Sequence, residues 1–211
     1  MIRFFRRVLI AWLVGLILWL AGFTAWRLHT GWKFFFNAPA HGEILGVENG
    51  VAVRAYGWGD SQRGEFGLEY ECVELVNRYY AQVLKYRNMA KMGHAESYFW
   101  DASPKGLVAY PNGGSVPPAV HDILVFDGGF EDGSVGHVAI VVGVDVANNT
   151  VTFIQQHSIA TADVVFRRER WKDTVPLRFL DGKWFVAQGR YTTPVAGWSR
   201  PAPPAIQRST P

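Results

Sequence analysis

Between Val8 and Trp26 the chain carries no charged residue and is dense in Leu, Ile, Val and Trp. At about 1.5 Å per residue a helix of that length spans roughly the 30 Å of a bilayer core. The pattern therefore predicts one transmembrane helix, with residues 1–27 as cytoplasmic flank and anchor, 8–26 in the bilayer and 28–41 as a juxtamembrane linker. Arg3, Arg6 and Arg7 lie on one side only, which predicts a cytoplasmic N-terminus and an extracytoplasmic remainder. Trp26, Trp32 and Phe34 to Phe36 would form the outer aromatic belt. A cleaved signal peptide fits less well, because Phe23 and Leu20 occupy the positions where cleavage after Ala25 or Gly22 wants small residues.

After the linker the hydrophobic period changes twice. Gly42 to Tyr56 alternates in short stretches around Gly50, which predicts one or two strands. From Cys72 onward, apolar and aromatic residues at 72, 75, 76, 79, 80 and 83 keep helical spacing, and a shorter helix is predicted over His94 to Ala102, ended by Ser103-Pro104. Strand-like segments then follow at Asp122–Phe126, Gly136–Asp145, Thr150–His157, Asp163–Arg168 and Lys183–Arg190, with Asn148-Asn149 as a turn. Helices first and strands afterwards predict an α+β domain over residues 42–200, with helices packed on an antiparallel sheet of about five to six strands. From Pro194 the chain turns to Pro, Ser, Thr and Gln, which predicts an extended end with little to bury, and residues 201–211 form a Pro-rich tail.

Charge narrows the function classes. The chain holds 21 basic and 18 acidic residues, and three of the basic ones precede residue 26, so residues 27–211 balance at 18 − 18 = 0. Without clustered basic residues on the folded part, no nucleic-acid partner is predicted.

The chemistry centres on one cysteine. Cys72 is the sole cysteine, so neither an internal disulfide nor a cysteine-rich zinc site is available. It is either an inert buried thiol or a nucleophile. At the start of a helix a thiol faces unpaired backbone N–H groups, which favour thiolate and can hold an oxyanion. His137, at the start of a strand, is the candidate general base and then acid.

Four segments occur in order: Tyr70-Glu71-Cys72-Val73-Glu74-Leu75-Val76-Asn77-Arg78-Tyr79-Tyr80, Pro118 to Phe126, Gly136-His137-Val138-Ala139-Ile140-Val141, and Val151 to His157. In this the chain resembles the CHAP family, the cysteine- and histidine-dependent amidohydrolases and peptidases of the papain-like group. Gly42 to Val53 and Gly197-Trp198 are similar to the ends of the amidase domain of glutathionylspermidine synthetases. The resemblance implies a papain-like, NlpC/P60-type fold with Cys72 as nucleophile and His137 as base. It also implies amide hydrolysis, with neither metal nor cofactor, and the expected extracytoplasmic location points to peptidoglycan as substrate, in a stem peptide or at the N-acetylmuramoyl-L-alanine amide. The family usually has Gln where Glu71 stands, and Glu-Gln-Asn where Gln155, Gln156 and His157 stand. Gln155 is then the expected orienter of His137, with His157 second, and Glu71 an accessory residue that opposes thiolate. With these departures a pseudoenzyme that binds cell-wall peptides or a membrane partner is the alternative, and a glutathionylspermidine-type amidase a further one. Asp127, Glu131 and Asp132 form an acidic loop that is read as solvated rather than as a calcium site. Glu74 and Arg78, four apart, are expected to form a supporting ion pair.

Overall fold

The computed structural model describes residues 12–26, 39–57, 60–87, 89, 93–127, 135–158 and 169–202. Two compact units result, residues Met1–Ala38 and Pro39–Pro211. In the first, a helix α1 runs over residues 12–26, about 22 Å at the standard rise. Among the described residues no helix is long and apolar enough to cross a membrane. This corrects the expected transmembrane helix, and with it the bilayer contact through residues 8–26 and the single-pass membrane location. The apolar composition of the run suggested a full span, yet the described helix falls short of the roughly 30 Å a core requires.

The second unit is mostly antiparallel sheet. A hairpin pairs β1 (Ile44–Glu48) with β2 (Val51–Arg54) through Asn49 and Gly50, both at positive φ. Seven further strands are β3 (Leu107–Pro111), β4 (Ile123–Phe126), β5 (His137–Asp145), β6 (Thr150–Ile154), β7 (Lys172–Leu180), β8 (Lys183–Val186) and β9 (Val195–Pro201). They form one sheet in the order β3-β9-β4-β5-β6-β7-β8. The helices are α2 (Cys72–Gln82), the single turn α3 (Ser97–Trp100) and a 3-10 turn over Ser103–Lys105.

Helices packed on five to six strands is therefore corrected to a seven-stranded sheet plus a hairpin, with few helices. The expected helix over His94–Ala102 contracts to α3, and β3, β7 and β9 are additional to the strands the sequence suggested. Asp163–Arg168 lies outside the described residues. The end from Pro194 was expected to bury little. Instead β9 lies between β3 and β4, hydrogen-bonded to both, and Trp198 and Ser199 are fully buried. Gly197 makes this possible, since a Cβ there would meet the Tyr110 carbonyl oxygen and the Phe99 ring.

Alternation sorts the sheet into two cores. Ile123 and Val125 of β4 and Val138 and Ile140 of β5 pack with Cys72, Leu75, Val76 and Tyr79 of α2. Leu124, Phe126, Ala139 and Val141 face the other way, among Phe153, Tyr191, Val195 and Trp198. Two residues per period place these side chains on opposite faces, so β5 passes between both cores and its first residue, His137, sits at their common end.

Candidate active site

Cys72 is the first residue of α2, and the preceding Glu71 is extended (φ −73°, ψ 161°) and gives the helix no side-chain cap. The first-turn N–H groups are thus left for other acceptors. Backbone N–H groups of Val138, Val73 and Cys72 itself are directed at the sulfur and favour thiolate. Burial outweighs them and the Glu71 charge adds to it, pushing the thiol from 9.0 up to about 12. Cys72 retains 8 % exposure and opens into a cavity of about 570 Å³, lined also by Arg63, Leu68, Glu71, His94 and Val135.

The opening turn of α2 is held in place by an internal polar network. Arg78 makes a 2.6 Å ion pair with Glu74 and donates to the Ala52 carbonyl of β2 at 2.7 Å. Gln156 donates to Glu74 (2.9 Å) and to the Glu71 carbonyl (3.2 Å), and accepts from the Arg54 N–H and from Arg78, each at 2.9 Å. A helix start, a strand end and the hairpin are thereby locked together by groups that would cost free energy if left unpaired.

His137 enters β5 after Gly136, whose φ of 68° and close approach to the Phe126 carbonyl both favour glycine. The imidazole is fully buried, and burial lowers it from 6.5 to about 4. Its Nε2 lies 2.9 Å from Gln155 Oε1. The Gln155 amide cannot turn over freely, because its NH₂ donates to the Arg170 carbonyl (2.9 Å) and to Tyr191 Oη (2.7 Å). With Oε1 facing the ring, Nε2 carries the hydrogen and Nδ1 the lone pair. Nδ1 is buried and has no hydrogen-bond partner among the described residues.

His157 is placed differently. β6 ends at Ile154, so strict alternation does not continue through Gln155, Gln156 and His157, and His157 sits at φ 48°. Its Nδ1 is 2.7 Å from Glu71 Oε2, and its ring stacks on Tyr56 at 3.8 Å with planes 3° apart. Tyr56 is held in turn by Glu169, which accepts from the Tyr56 and Gly57 N–H groups at 2.8 and 2.7 Å. Two of the departures from the family pattern, Glu71 and His157, are thus partners of each other.

Elsewhere, His121 hydrogen-bonds Tyr79 Oη at 3.0 Å, His41 bonds the Tyr56 carbonyl, and His94 lines the cavity. His29, Glu131 and Asp132 lie outside the described residues. No group of three His, Cys, Asp or Glu placed to hold a metal is found among the described residues. Tyr191, Tyr56 and Arg63 were not singled out in the sequence. Tyr56 and Arg63 precede the cysteine segment without a periodic pattern to mark them, and Tyr191 lies well beyond the histidine segment, so only the fold brings them to the site.

Residues 62–157 match the model of the CHAP domain family. No curated protein matches the chain. The matched segment holds Glu71, Cys72, His137, Gln155 and His157, and leaves out β7, β8 and β9.

Proposed function

We propose that this chain hydrolyses amide bonds by cysteine catalysis, with Cys72 as nucleophile, His137 as base and Gln155 as orienter, a reading supported by the match of residues 62–157 to the CHAP domain, which suggests amidase or peptidase activity on peptides or peptidoglycan. The observation that carries this reading is the pinned Gln155 amide, which leaves His137 Nδ1 as the one unprotonated, unpartnered nitrogen at the end of β5.

With the thiol raised and the imidazole lowered, the resting pair is neutral. Cys72 attacks the carbonyl carbon while its proton passes to His137 Nδ1, so the C–S bond forms as the S–H bond breaks. The first-turn N–H groups of α2 hold the oxyanion. His137 then gives the proton to the amine nitrogen, the C–N bond breaks, and an acyl-thioester remains. Water, deprotonated by the same nitrogen, hydrolyses the thioester and restores the thiol. Gln155 accepts the Nε2 hydrogen throughout and keeps the ring in the tautomer that both steps require. Glu71 and Arg63 put both signs of charge on the cavity wall, which suits peptides bearing an ammonium and a carboxylate, as peptidoglycan stem peptides do.

The test is digestion of purified peptidoglycan followed by mass spectrometry of the soluble products. The expected result is fragments carrying one added water at an amide, formed by the parent chain and absent with Cys72→Ala. Equal release by Cys72→Ala, or none by the parent chain, would overturn the reading.

A further inference from the structure

Behind Gln155 the hydrogen bonds continue. Tyr191 Oη, which accepts from the Gln155 NH₂ at 2.7 Å, lies 3.0 Å from Asp173 Oδ2. An ionised carboxylate is acceptor-only, so the phenol must donate to it. Its oxygen is then left to accept from Gln155, whose own oxygen must face His137. Every hydrogen in the series His137, Gln155, Tyr191, Asp173 therefore points toward the carboxylate.

We propose that Asp173 and Tyr191 are positioning residues for His137: through Gln155 they set its tautomer and supply, at one remove, the negative charge that a glutamine orienter lacks. This rests on the reading of Cys72 and His137 as the catalytic pair. Both residues lie outside the segment that matches the family model, on β7 and after β8.

Three observations support the inference. Tyr191 is buried among Phe126 and Phe153, with ring centroids 4.8 and 5.7 Å away, so its hydroxyl has little water to turn to. Burial, and after it the Asp173 charge, push its pKa above the ordinary phenol value, which keeps it a donor at neutral pH. Asp173 is itself held, with Oδ1 accepting the Thr174 N–H at 2.9 Å and Arg170 Nη1 3.6 Å away. The same geometry explains why glutamine stands at 155. A glutamate there would put an oxygen in place of the NH₂, 2.9 Å from the Arg170 carbonyl with no proton between them. It would also compete with Asp173 for one phenolic hydrogen. The charge sits at 173 instead.

Asp173→Asn keeps the shape and removes the charge; its single oxygen is then shared between the Thr174 N–H and the Tyr191 hydroxyl. Tyr191→Phe cuts the series. Nitrogen NMR on the full chain, in a Cys72→Ala background, reads the tautomer and titration of His137 independently of turnover. The charged and titratable groups facing the series are Glu71 and His157 at the His137 end, and Arg170, Asp173 and Arg190 at the Tyr191 end. We expect the Nε2–H tautomer in the parent and a His137 midpoint moved to lower pH in both variants. With Cys72 intact, kcat/KM should fall about threefold to tenfold, the size of one net hydrogen bond, with KM little changed. An unchanged His137 tautomer and midpoint in Asp173→Asn would overturn the proposal even if the rate fell. If the tautomer depends on Asp173 but Cys72→Ala digests peptidoglycan normally, the catalytic reading fails and the positioning role stands.

Discussion

The two sides of Cys72 are built in opposite ways. On one, His137, Gln155 and Tyr191 are buried between β5, β6 and the chain after β8, and the Gln155 amide is fully committed to fixed partners. On the other, Glu71 and His157 pair at 2.7 Å while 29 % and 39 % of their side chains remain exposed, Glu71 on the cavity wall. A dry, satisfied network holds one geometry, because any rearrangement leaves a buried polar group unpaired. A half-exposed pair exchanges partners with water or substrate at little cost. In the proposed mechanism the buried side sets the rate of proton transfer, and the exposed side adjusts which substrates reach the thiol.

The largest break expected in this comparison is Gln155→Ala, which frees the ring and removes the N–H donors to the Arg170 carbonyl and the Tyr191 oxygen. Hydrolysis should slow by about 100-fold, within the range attributed to a positioned acid–base group, with KM little changed. Gln155→Glu separates sequence logic from structure. From the sequence, a carboxylate at 155 restores the charged orienter and lowers the thiol pKa. In the structure it meets the Arg170 carbonyl, so we expect a lower Tm, by about 1–3 kcal/mol of stability for the unsatisfied buried group, and no gain in rate.

The pH profile tests the buried side directly. Catalysis needs neutral His137, so the acid limb of kcat/KM should lie near 4 rather than 6.5. Stability follows the same residue. Its folded value is below its unfolded one, so the contribution is intact above about 6.5 and is lost as pH falls toward 4. Between pH 7 and 4.5 the Tm of His137→Gln should decline less than that of the parent. The smallest effect is expected on the exposed side. Glu71→Gln removes a charge that raises the thiol, so alkylation of Cys72 at fixed pH should speed up a few-fold, while hydrolysis of substrates with an ammonium near the scissile bond slows by a similar factor.

The residues proposed to carry the chemistry are legible in the sequence because they lie within periodic segments. Cys72 opens a helix with apolar residues three and four apart, and His137 opens a strand whose next seven residues hold no charge before Asp145. What supports them was not legible. β9 contains Pro201 and Gly197 and looks like a tail, yet its Trp198 fills the second core and the strand completes the sheet between β3 and β4. Tyr191 and Asp173 reach Gln155 through contacts 36 and 18 residues apart in sequence, which no local period records. Strand periodicity says nothing of Gln155, Gln156 and His157, because β6 ends at Ile154 and His157 takes a φ of 48°. The transmembrane expectation rested on the length and composition of the uncharged run and on its basic flank, whereas the described helix covers only residues 12–26.

The most direct measurement of the central claim is a double-mutant cycle on peptidoglycan hydrolysis with Cys72→Ala, His137→Ala and the two combined. Residues that act as one catalytic unit are strongly non-additive. The account predicts that either single variant loses as much as the double, all three leaving the same residual rate within about twofold. Losses that multiply, or a single variant that keeps a substantial part of the parent rate, would contradict it.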